Sequence, residues 1–214
     1  MQLLSDSFRD GGAIPETHAF CRLEAPARVM FAANRNPHLR WSEPPAGTRS
    51  LALLCRDPDV PASTEDVNRD GVEVAANVER VDFFHWVLVE LPADLRSIAA
   101  GEFADGVTPK GKGGPASLYG ARSGINDYTG WFEGDHDMAG EYFGYDGPCP
   151  PWNDSIVHRY VFTIYALDVE HLPGLHGRFS GADALEAMRK HVLDTGSITG
   201  LFTLNARLRA DLPA

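Results

Sequence analysis

The segment GYDGPCPPWNDSIVHRYVFTIYAL, residues 144–167, decides the fold prediction because it passes from a proline-rich turn directly into an apolar strand. Pro148, Pro150 and Pro151 fix φ and lack a backbone N–H, so the first part of the segment is predicted to be a rigid loop rather than a helix. From His158 onward the residues are mainly Val, Ile, Phe, Tyr and Thr, which is typical of a β-strand. The sequence therefore predicts a strand that begins beside a stiff loop.

The predicted strand presents two polar rings on one face. Side chains alternate between the faces of a strand, so His158 and Tyr160 point the same way and Arg159 points the other way. The loop before the strand is expected to offer free backbone N–H groups near these rings. A histidine in this position is as often structural as functional, so its role depends on the rest of the chain.

Two further strands are predicted upstream. The run SLALLCR, residues 50–56, is apolar at nearly every position, as expected for a strand buried on both faces, and it leads into Asp57. The run DFFHWVLVEL, residues 82–91, alternates in a way that predicts His85 on the same face as Val87.

The sequence contains one convincing amphipathic helix, over residues 180–193. Ser180 is a candidate N-cap and Asp183 would lie in the first turn. Short strands are expected near both ends of the chain, over residues 3–8 and 197–208. With 15 prolines and 21 glycines spread along the chain, the predicted class is mostly β.

The chain has 214 residues, a formal net charge of −11 and a pI of about 5.1. This length predicts a single domain over residues 1–214. The negative charge opposes long-range attraction to nucleic acid and anionic membranes, so no nucleic-acid partner is predicted. Neither a signal peptide nor an apolar run near the roughly 20 residues of a membrane span is found, which predicts a cytoplasmic protein with no membrane span.

The three cysteines, Cys21, Cys55 and Cys149, are odd in number and lack CxxC spacing. This pattern argues against a disulfide framework and a structural zinc site, and it favours a reducing compartment. Cys149 is therefore expected to be a free, unreactive thiol.

Two long polar segments, residues 63–81 and 114–146, are predicted to be surface loops. The glycines of residues 111–114 lack the Walker spacing, and the acidic residues between positions 133 and 141 lack EF-hand spacing. We predict neither a cofactor nor a metal. The aromatic residues of the second segment are expected to pin it to the body of the protein or to a second subunit.

Three separated motifs resemble the phosphatidylethanolamine-binding protein family, also called the Raf kinase inhibitor protein family, and in particular its bacterial branch. They are DPDVP at residues 57–61, FHW at 84–86, and GPCPP followed by HRY at 158–160. SDSFRDGGAIP near the start and GSITGLFTL near the end extend the similarity to most of the chain. The resemblance implies a large antiparallel sheet packed on a smaller one, a Greek-key β-sandwich with a few short helices.

The resemblance also implies a pocket at the strand ends that takes phosphate or a phospholipid head group. Its residues here would be Asp57, His85, Gly147, Pro148, His158 and Tyr160. The two histidines, the tyrosine hydroxyl and a backbone N–H of the loop would donate to phosphate oxygens. Asp57 would orient His85 or receive the ammonium of an ethanolamine head group.

The leading prediction is a non-catalytic module that binds a small phosphorylated or other anionic ligand and regulates an unidentified protein partner. A homodimer is a further expectation from bacterial relatives. One alternative is a hydrolase or lyase that uses Asp57 and His85 or His158 as acid and base, with Cys149 and His158 as the one nucleophile–base pair. No nucleophile elbow, metal motif or cofactor fingerprint supports that alternative. A third possibility is a protein inhibitor or scaffold without a small ligand.

Overall fold

The computed structural model describes residues 1–24 and 28–213, and the mostly β class is confirmed. The strands are β1 (Leu3–Leu4), β2 (Cys21–Glu24), β3 (Arg28–Phe31), β4 (Leu39–Trp41), β5 (Ser50–Pro61), β6 (Arg80–Pro92), β7 (Ser97–Ile98), β8 (Arg122–Ser123), β9 (His158–Leu167) and β10 (Val192–Phe202). The α-helices are α1 (Tyr128–Trp131), α2 (Gly181–Met188) and α3 (Ala206–Arg209), and 3₁₀ turns lie at Glu16–His18 and Leu118–Gly120.

A five-stranded antiparallel sheet in the order β10-β9-β5-β6-β8 forms the centre of the fold. A three-stranded sheet in the order β1-β4-β7 and the β2-β3 hairpin complete the strand arrangement. Because β5 lies in the middle of the large sheet, its residues 50–55 are buried on both faces, as their apolar sequence predicts. The two strands that flank β5 are β6 and β9, and both begin close to the end of β5.

The main core lies between the large and the small sheet, which confirms the predicted packing. Leu53 of β5 and Phe162 of β9 contact the same cluster as Leu39 and Trp41 of β4, and all four side chains are buried. Burial of this much apolar surface is the principal driving force for the two sheets to associate.

A second core covers the other face of the large sheet. Leu54 of β5 and Val87 of β6 pack there with Ala184 and Met188 of α2. The short helix therefore closes the face that the small sheet leaves uncovered.

Helix α2 is capped as the sequence predicts but is shorter than the predicted range 180–193. The Ser180 hydroxyl accepts the Asp183 N–H at 3.2 Å, and the Asp183 carboxylate accepts the Ser180 N–H at 2.8 Å. The helix ends at Met188 because the chain turns there and pairs with β9 from Val192 onward. The last strand thus begins before the predicted residue 197, while β1 is shorter than the predicted strand over residues 3–8.

The predicted alternation along β6 is wrong at His85. Consecutive residues 55–56 of β5 pair with Trp86 and Phe84, which leaves His85 without a partner in a β-bulge. Val87 consequently lies in the second core, whereas His85 lies on the side of the main core. The extra residue changes the phase of the alternation at this point.

The long segment 114–146 is tied to the body by buried aromatic side chains, among them Tyr142 and Phe143 of the four aromatic residues, Trp131, Phe132, Tyr142 and Phe143, expected to serve there. Tyr128, Tyr142 and Tyr145 all belong to the main core. Trp131, at the end of α1, is by contrast 43% exposed. Within residues 1–24 and 28–213, no helix has the length and apolar character needed to cross a membrane.

Candidate functional site

A cavity of about 150 Å³ opens where the end of β5 and the starts of β6 and β9 meet the loop of residues 147–151. Four polar or charged side chains line it, Asp57, Asn68, His85 and Tyr160. The remaining lining residues are apolar apart from the hydroxyl of Tyr128, and six of the thirteen are aromatic. The structure thus brings the DPDVP, FHW and HRY motifs to one place, as the sequence predicts.

His85 is held with one ring nitrogen toward the protein. Its Nδ1–H donates to the Asp146 carbonyl at 2.8 Å, and no side chain of the described residues holds Nε2. The ring is enclosed by Phe83 and Tyr160, whose centroids lie 4.9 and 5.1 Å away. Burial lowers the pKa of His85, so the neutral imidazole offers Nε2 to the cavity as an acceptor at neutral pH.

The Asp146 carboxylate organises the loop behind His85. One oxygen accepts from the Asn34 amide at 2.7 Å and the Lys112 ammonium at 2.6 Å, and the other accepts from the Asn126 amide at 2.8 Å. Asn34 also accepts the Gly147 N–H at 2.8 Å. The Gly147 N–H is therefore not available to a ligand, and Gly147 itself does not line the cavity.

Gly147 is required for a steric reason. A Cβ at this position would lie 2.1 Å from the carbonyl oxygen of His18 and 2.9 Å from the Tyr145 hydroxyl. A side chain would displace the loop, since the closest atom belongs to the backbone.

Within the loop of residues 147–151, Cys149 is the residue whose backbone N–H can donate a hydrogen bond to a ligand. Residues 148, 150 and 151 are prolines without an N–H, and the Cys149 N–H finds no acceptor among the described residues. Pro148 lies behind the cavity wall, where its carbonyl accepts from Phe20 and Cys21 at 2.9 and 3.2 Å. Cys149 and the two prolines after it line the cavity.

The prediction that the cysteines are unpaired is wrong, because Cys21 and Cys149 form a disulfide. The two residues are 128 positions apart in sequence, and their pairing follows from the docking of β2 against the site loop. Local spacing such as CxxC carries no information about such a pair. Cys55 is the remaining thiol and is buried, so the argument for a reducing compartment no longer holds.

His158 is fully buried, and both of its ring nitrogens are held by carboxylates. Nδ1 lies 2.7 Å from Asp57 Oδ2 and Nε2 lies 3.1 Å from Asp154 Oδ2. Burial alone would lower the pKa of His158, but the two carboxylates raise it to about 9. Asp57 thus orients His158 rather than His85, and His158 has no nitrogen left for a ligand.

The charges around this buried pair are balanced. Arg80 holds Asp154 through two contacts of 2.6 and 3.1 Å, and Arg159 holds Asp59 through contacts of 2.7 and 2.9 Å. The cluster contains three carboxylates and three cations, namely Asp57, Asp59, Asp154, Arg80, His158 and Arg159. The floor of the cavity is therefore close to neutral despite the acidic chain.

Tyr160 presents an unsatisfied hydroxyl beside His85. Its oxygen is buried and forms no hydrogen bond of ordinary length and angle with the described residues, although the Asp57 carboxylate is close enough to act on it. Burial raises the pKa of Tyr160, and the nearby Asp57 carboxylate raises it further, so the hydroxyl is a neutral donor. A buried polar group without a partner is rare in folded proteins and marks a place where a ligand can bind.

The site lacks the nucleophile–base pair considered from the sequence. The Cys149 sulfur is in the disulfide and the His158 nitrogens are engaged, so neither group is available for that chemistry. Asn34, Asn126, Asp146 and Asp154 were not identified from the sequence, since buried polar residues in loops have no periodicity. The sequence feature that could have identified Asp146 is its position directly before the loop of residues 147–151.

A concave cavity with apolar walls and a few polar groups, such as the one at these strand ends, is the usual form of a small-ligand site. The chain belongs to the phosphatidylethanolamine-binding protein family, whose sequence model matches residues 4–203. The predicted family is therefore confirmed.

Relatives in sequence and structure agree with this assignment. UPF0098 protein YbhB of Escherichia coli (strain K12) is 31% identical over 203 residues, which are 95% of this chain and 100% of the relative. A UPF0098 protein of Chlamydia muridarum is 32% identical over 202 residues, 94% of this chain and 98% of the relative. The crystal structure of E. coli YbcL, titled a new member of the mammalian PEBP family, matches with a TM-score of 0.65 and 25% identity, over 94% of this chain and 97% of that one.

Proposed function

We propose that the cavity binds the phosphate-type anionic group of a small ligand without catalysing a reaction. The observation that carries the proposal is that the Tyr160 hydroxyl is buried and forms no hydrogen bond of ordinary length and angle among the described residues, beside His85 in the same cavity. Leaving a buried hydroxyl unsatisfied costs on the order of 1–3 kcal/mol, and a ligand oxygen would recover that cost.

Three groups would contact the anion. Tyr160 donates its O–H, Cys149 donates its backbone N–H, and His85 donates from Nε2 once it has taken up a proton. Imidazole is suited to this role because its protonation state changes near neutral pH.

Of the other predicted site residues, Asp57 lines the cavity, whereas Gly147, Pro148 and His158 do not. Asp57 and His158 fix the floor as an ion pair, while Gly147 and Pro148 hold the loop in place. All six predicted residues therefore keep a role in the proposed site. Of these six, His85 and Tyr160 contact the anion directly, together with the Cys149 N–H, which was not among them.

Calorimetric titration with inorganic phosphate and phosphorylethanolamine, a phospholipid head group, tests the proposal. We expect saturable binding to the wild-type protein and a loss of about fivefold or more in His85→Gln and Tyr160→Phe, consistent with one lost hydrogen bond each. His176→Gln is the control because His176 is exposed and does not line the cavity. Absence of binding at millimolar ligand, or equal affinity in all variants, would contradict the proposal.

A homodimer and a regulated protein partner stay predictions, which sedimentation and affinity capture from the source cell test. The cytoplasmic location also stays a prediction. Disulfides such as Cys21–Cys149 are typical of oxidising compartments, so cell fractionation is the decisive measurement for location.

A further inference from the structure

A second cavity, of about 210 Å³, lies beside α2 on the face of the large sheet opposite the candidate site. We call it the rear cavity. Its seven lining residues include none of those that line the first cavity, at the loop of residues 147–151. The rear cavity is therefore a separate place in the molecule, and what it can bind is independent of the proposed function.

Strand register brings one charged and two hydroxyl side chains to the rear cavity. Val161, Thr163 and Tyr165 alternate along β9 with residues that belong to the main core, so they lie on the opposite face of the sheet. In the pairing of β5 with β9, Arg56 is opposite Val161 and Leu54 is opposite Thr163. Arg56, Thr163 and Tyr165 consequently share one face of two neighbouring strands and line the same cavity.

Arg56 supplies the positive charge of the rear cavity. Its Nη1 donates to Asp82 Oδ2 at 2.7 Å, and no other hydrogen bond of ordinary length and angle holds the guanidinium among the described residues. The Arg56 side chain is 44% exposed, so its remaining N–H groups are within reach of a ligand. A guanidinium with free N–H groups is well suited to hold a carboxylate through two parallel hydrogen bonds.

Tyr165 and Thr163 add two neutral donors beside Arg56. Burial raises the pKa of Tyr165, and although the nearby Arg56 guanidinium and Thr163 hydroxyl act in the other direction, the net effect is a rise. The phenol is therefore protonated at neutral pH and lies close to both groups. The Thr163 hydroxyl is 2.9 Å from the Ser197 hydroxyl on β10, and it can accept from Ser197 while it donates its own proton to a ligand.

The rest of the rear cavity is apolar. Leu54 and Phe84 are buried members of the second core, and Leu185 of α2 packs against the same core. An apolar group that covers these side chains would leave water, and its burial would favour binding. A cavity of roughly 150 Å³ with apolar walls accommodates one benzene ring. The rear cavity, at about 210 Å³, thus has room for a small ring together with one carboxylate.

We propose that the rear cavity is a binding site for a small monocarboxylate with a compact apolar body. The carboxylate accepts from the Arg56 guanidinium and from the Tyr165 and Thr163 hydroxyls. The apolar body lies against Leu54, Phe84 and Leu185. Each part of the ligand is thereby matched to side chains of its own kind.

Inorganic phosphate is the competing occupant, since arginine also binds phosphate. Arg56 is the one cationic side chain that lines the rear cavity within the described residues, and Asp82 already offsets part of its charge. The second negative charge of a phosphate dianion would find no cation there and would be repelled by Asp82. The single charge of a monocarboxylate is therefore favoured.

Calorimetry with benzoate, benzamide and acetate tests the inference on the wild-type protein. We expect benzoate to bind saturably and about fivefold or more tightly than the other two, because benzamide lacks the charge and acetate lacks the ring. An excess of inorganic phosphate should not displace benzoate.

Two substitutions test the polar contacts. Arg56→Gln should lower the affinity for benzoate about tenfold and Tyr165→Phe about fivefold, as expected for the loss of a charged and of a neutral hydrogen bond. Arg49→Gln is the matched control, since Arg49 is an exposed arginine that pairs with Glu170 and does not line the rear cavity.

A third substitution tests the location without removing a polar group. Leu185→Trp should abolish benzoate binding because the larger side chain fills the rear cavity. Leu193→Trp is its control, since Leu193 is 44% exposed and lies outside this cavity.

Several results would overturn the inference. They are the absence of saturable benzoate binding at millimolar ligand, benzamide binding as tightly as benzoate, displacement of benzoate by phosphate, and an affinity for benzoate that is unchanged in Arg56→Gln or Leu185→Trp. None of these results bears on the proposed function of the first cavity, because the two cavities share no lining residue.

Discussion

His85 and His158 lie on the two strands that flank β5 and carry different charges at neutral pH. Burial among aromatic rings lowers the pKa of His85 and keeps it neutral. Burial acts on His158 in the same direction, but two carboxylates outweigh it and keep His158 charged. The first histidine is left free for a ligand, whereas the second stabilises the site.

The Tyr160 hydroxyl is expected to serve ligand binding at the expense of stability. Because the buried hydroxyl forms no hydrogen bond of ordinary length and angle among the described residues, Tyr160→Phe should leave the free energy of unfolding unchanged or raise it by up to about 1 kcal/mol. Tyr128→Phe is the matched control, since the Tyr128 hydroxyl donates to the Gly147 carbonyl at 2.8 Å. Urea unfolding of both variants measures the difference, and a clear destabilisation by Tyr160→Phe would show that its hydroxyl has a partner.

Phosphate affinity is expected to fall as the pH rises. The free His85 is neutral because its pKa is lowered, and the bound dianion needs a proton on Nε2, so binding takes up a proton. The association constant should therefore fall by up to about tenfold per pH unit above pH 6, which is near the second pKa of a phosphate monoester.

Calorimetry at pH 6.5, 7.5 and 8.5, in buffers of different ionisation enthalpy, measures both the affinity and the number of protons taken up. His85→Gln should remove the proton uptake. An affinity that is constant or rises over this range would rule out His85 as the donor.

At the scale of elements, the disulfide connects β2 to the site loop across 128 residues of sequence. Closing so long a loop reduces the entropy of the unfolded chain, and removal of a native disulfide typically costs about 2–5 kcal/mol. We expect Cys21→Ser/Cys149→Ser to lose stability in this range and to bind phosphate more weakly, because the Cys149 N–H is no longer fixed.

Unfolding and binding measured with and without dithiothreitol provide the comparison. The reductant should lower the stability of the wild-type protein and have no effect on the double variant. An equal response of the two proteins would contradict a structural disulfide between Cys21 and Cys149.

At the scale of the whole molecule, the His158 cluster makes stability depend on pH. The pKa of His158 is about 9 in the folded protein against 6.5 for an ordinary histidine. Below pH 6.5 the ring is charged in both states and the ion pairs contribute fully. Between pH 6.5 and 9 the unfolded chain has lost the proton that the folded protein keeps, so stability falls as the pH rises, by up to about 1.4 kcal/mol per pH unit.

Urea unfolding at pH 6, 7.5 and 9 measures this dependence in the wild-type protein and in His176→Gln, an exposed histidine that serves as control. Both should lose stability over this range, while His158→Gln should be less stable at pH 6 and lack most of the slope. Stability that is flat or rises from pH 6.5 to 9 in the wild-type protein would show that His158 is not charged in the folded state.

Much of the fold could be predicted because its signals are local. The apolar run before Asp57 and the alternation after His158 identify β5 and β9, and the Ser180–Asp183 capping box identifies the start of α2. The bulge at His85 could not be predicted, since it depends on the register between two strands.

Of the six predicted site residues, Asp57, His85 and Tyr160 line the cavity, whereas Gly147, Pro148 and His158 do not. The motifs bring Asp57, His85 and His158 together, but which carboxylate holds which histidine is decided by tertiary packing. The Cys21–Cys149 bond and the Asn34–Asp146 hydrogen bond likewise join residues that are 128 and 112 positions apart. Neither spacing nor periodicity reports such contacts in a single sequence.

The most direct measurement is an NMR titration of the histidine side chains with phosphate at pH 6.5. We predict saturable shifts of the His85 ring, with Nε2 moving toward the protonated state, and no change in the His158 ring, which stays protonated between its two carboxylates. Shifts of His158 without shifts of His85, or no shift of either ring at millimolar phosphate, would contradict the assignment of this cavity as the anion site.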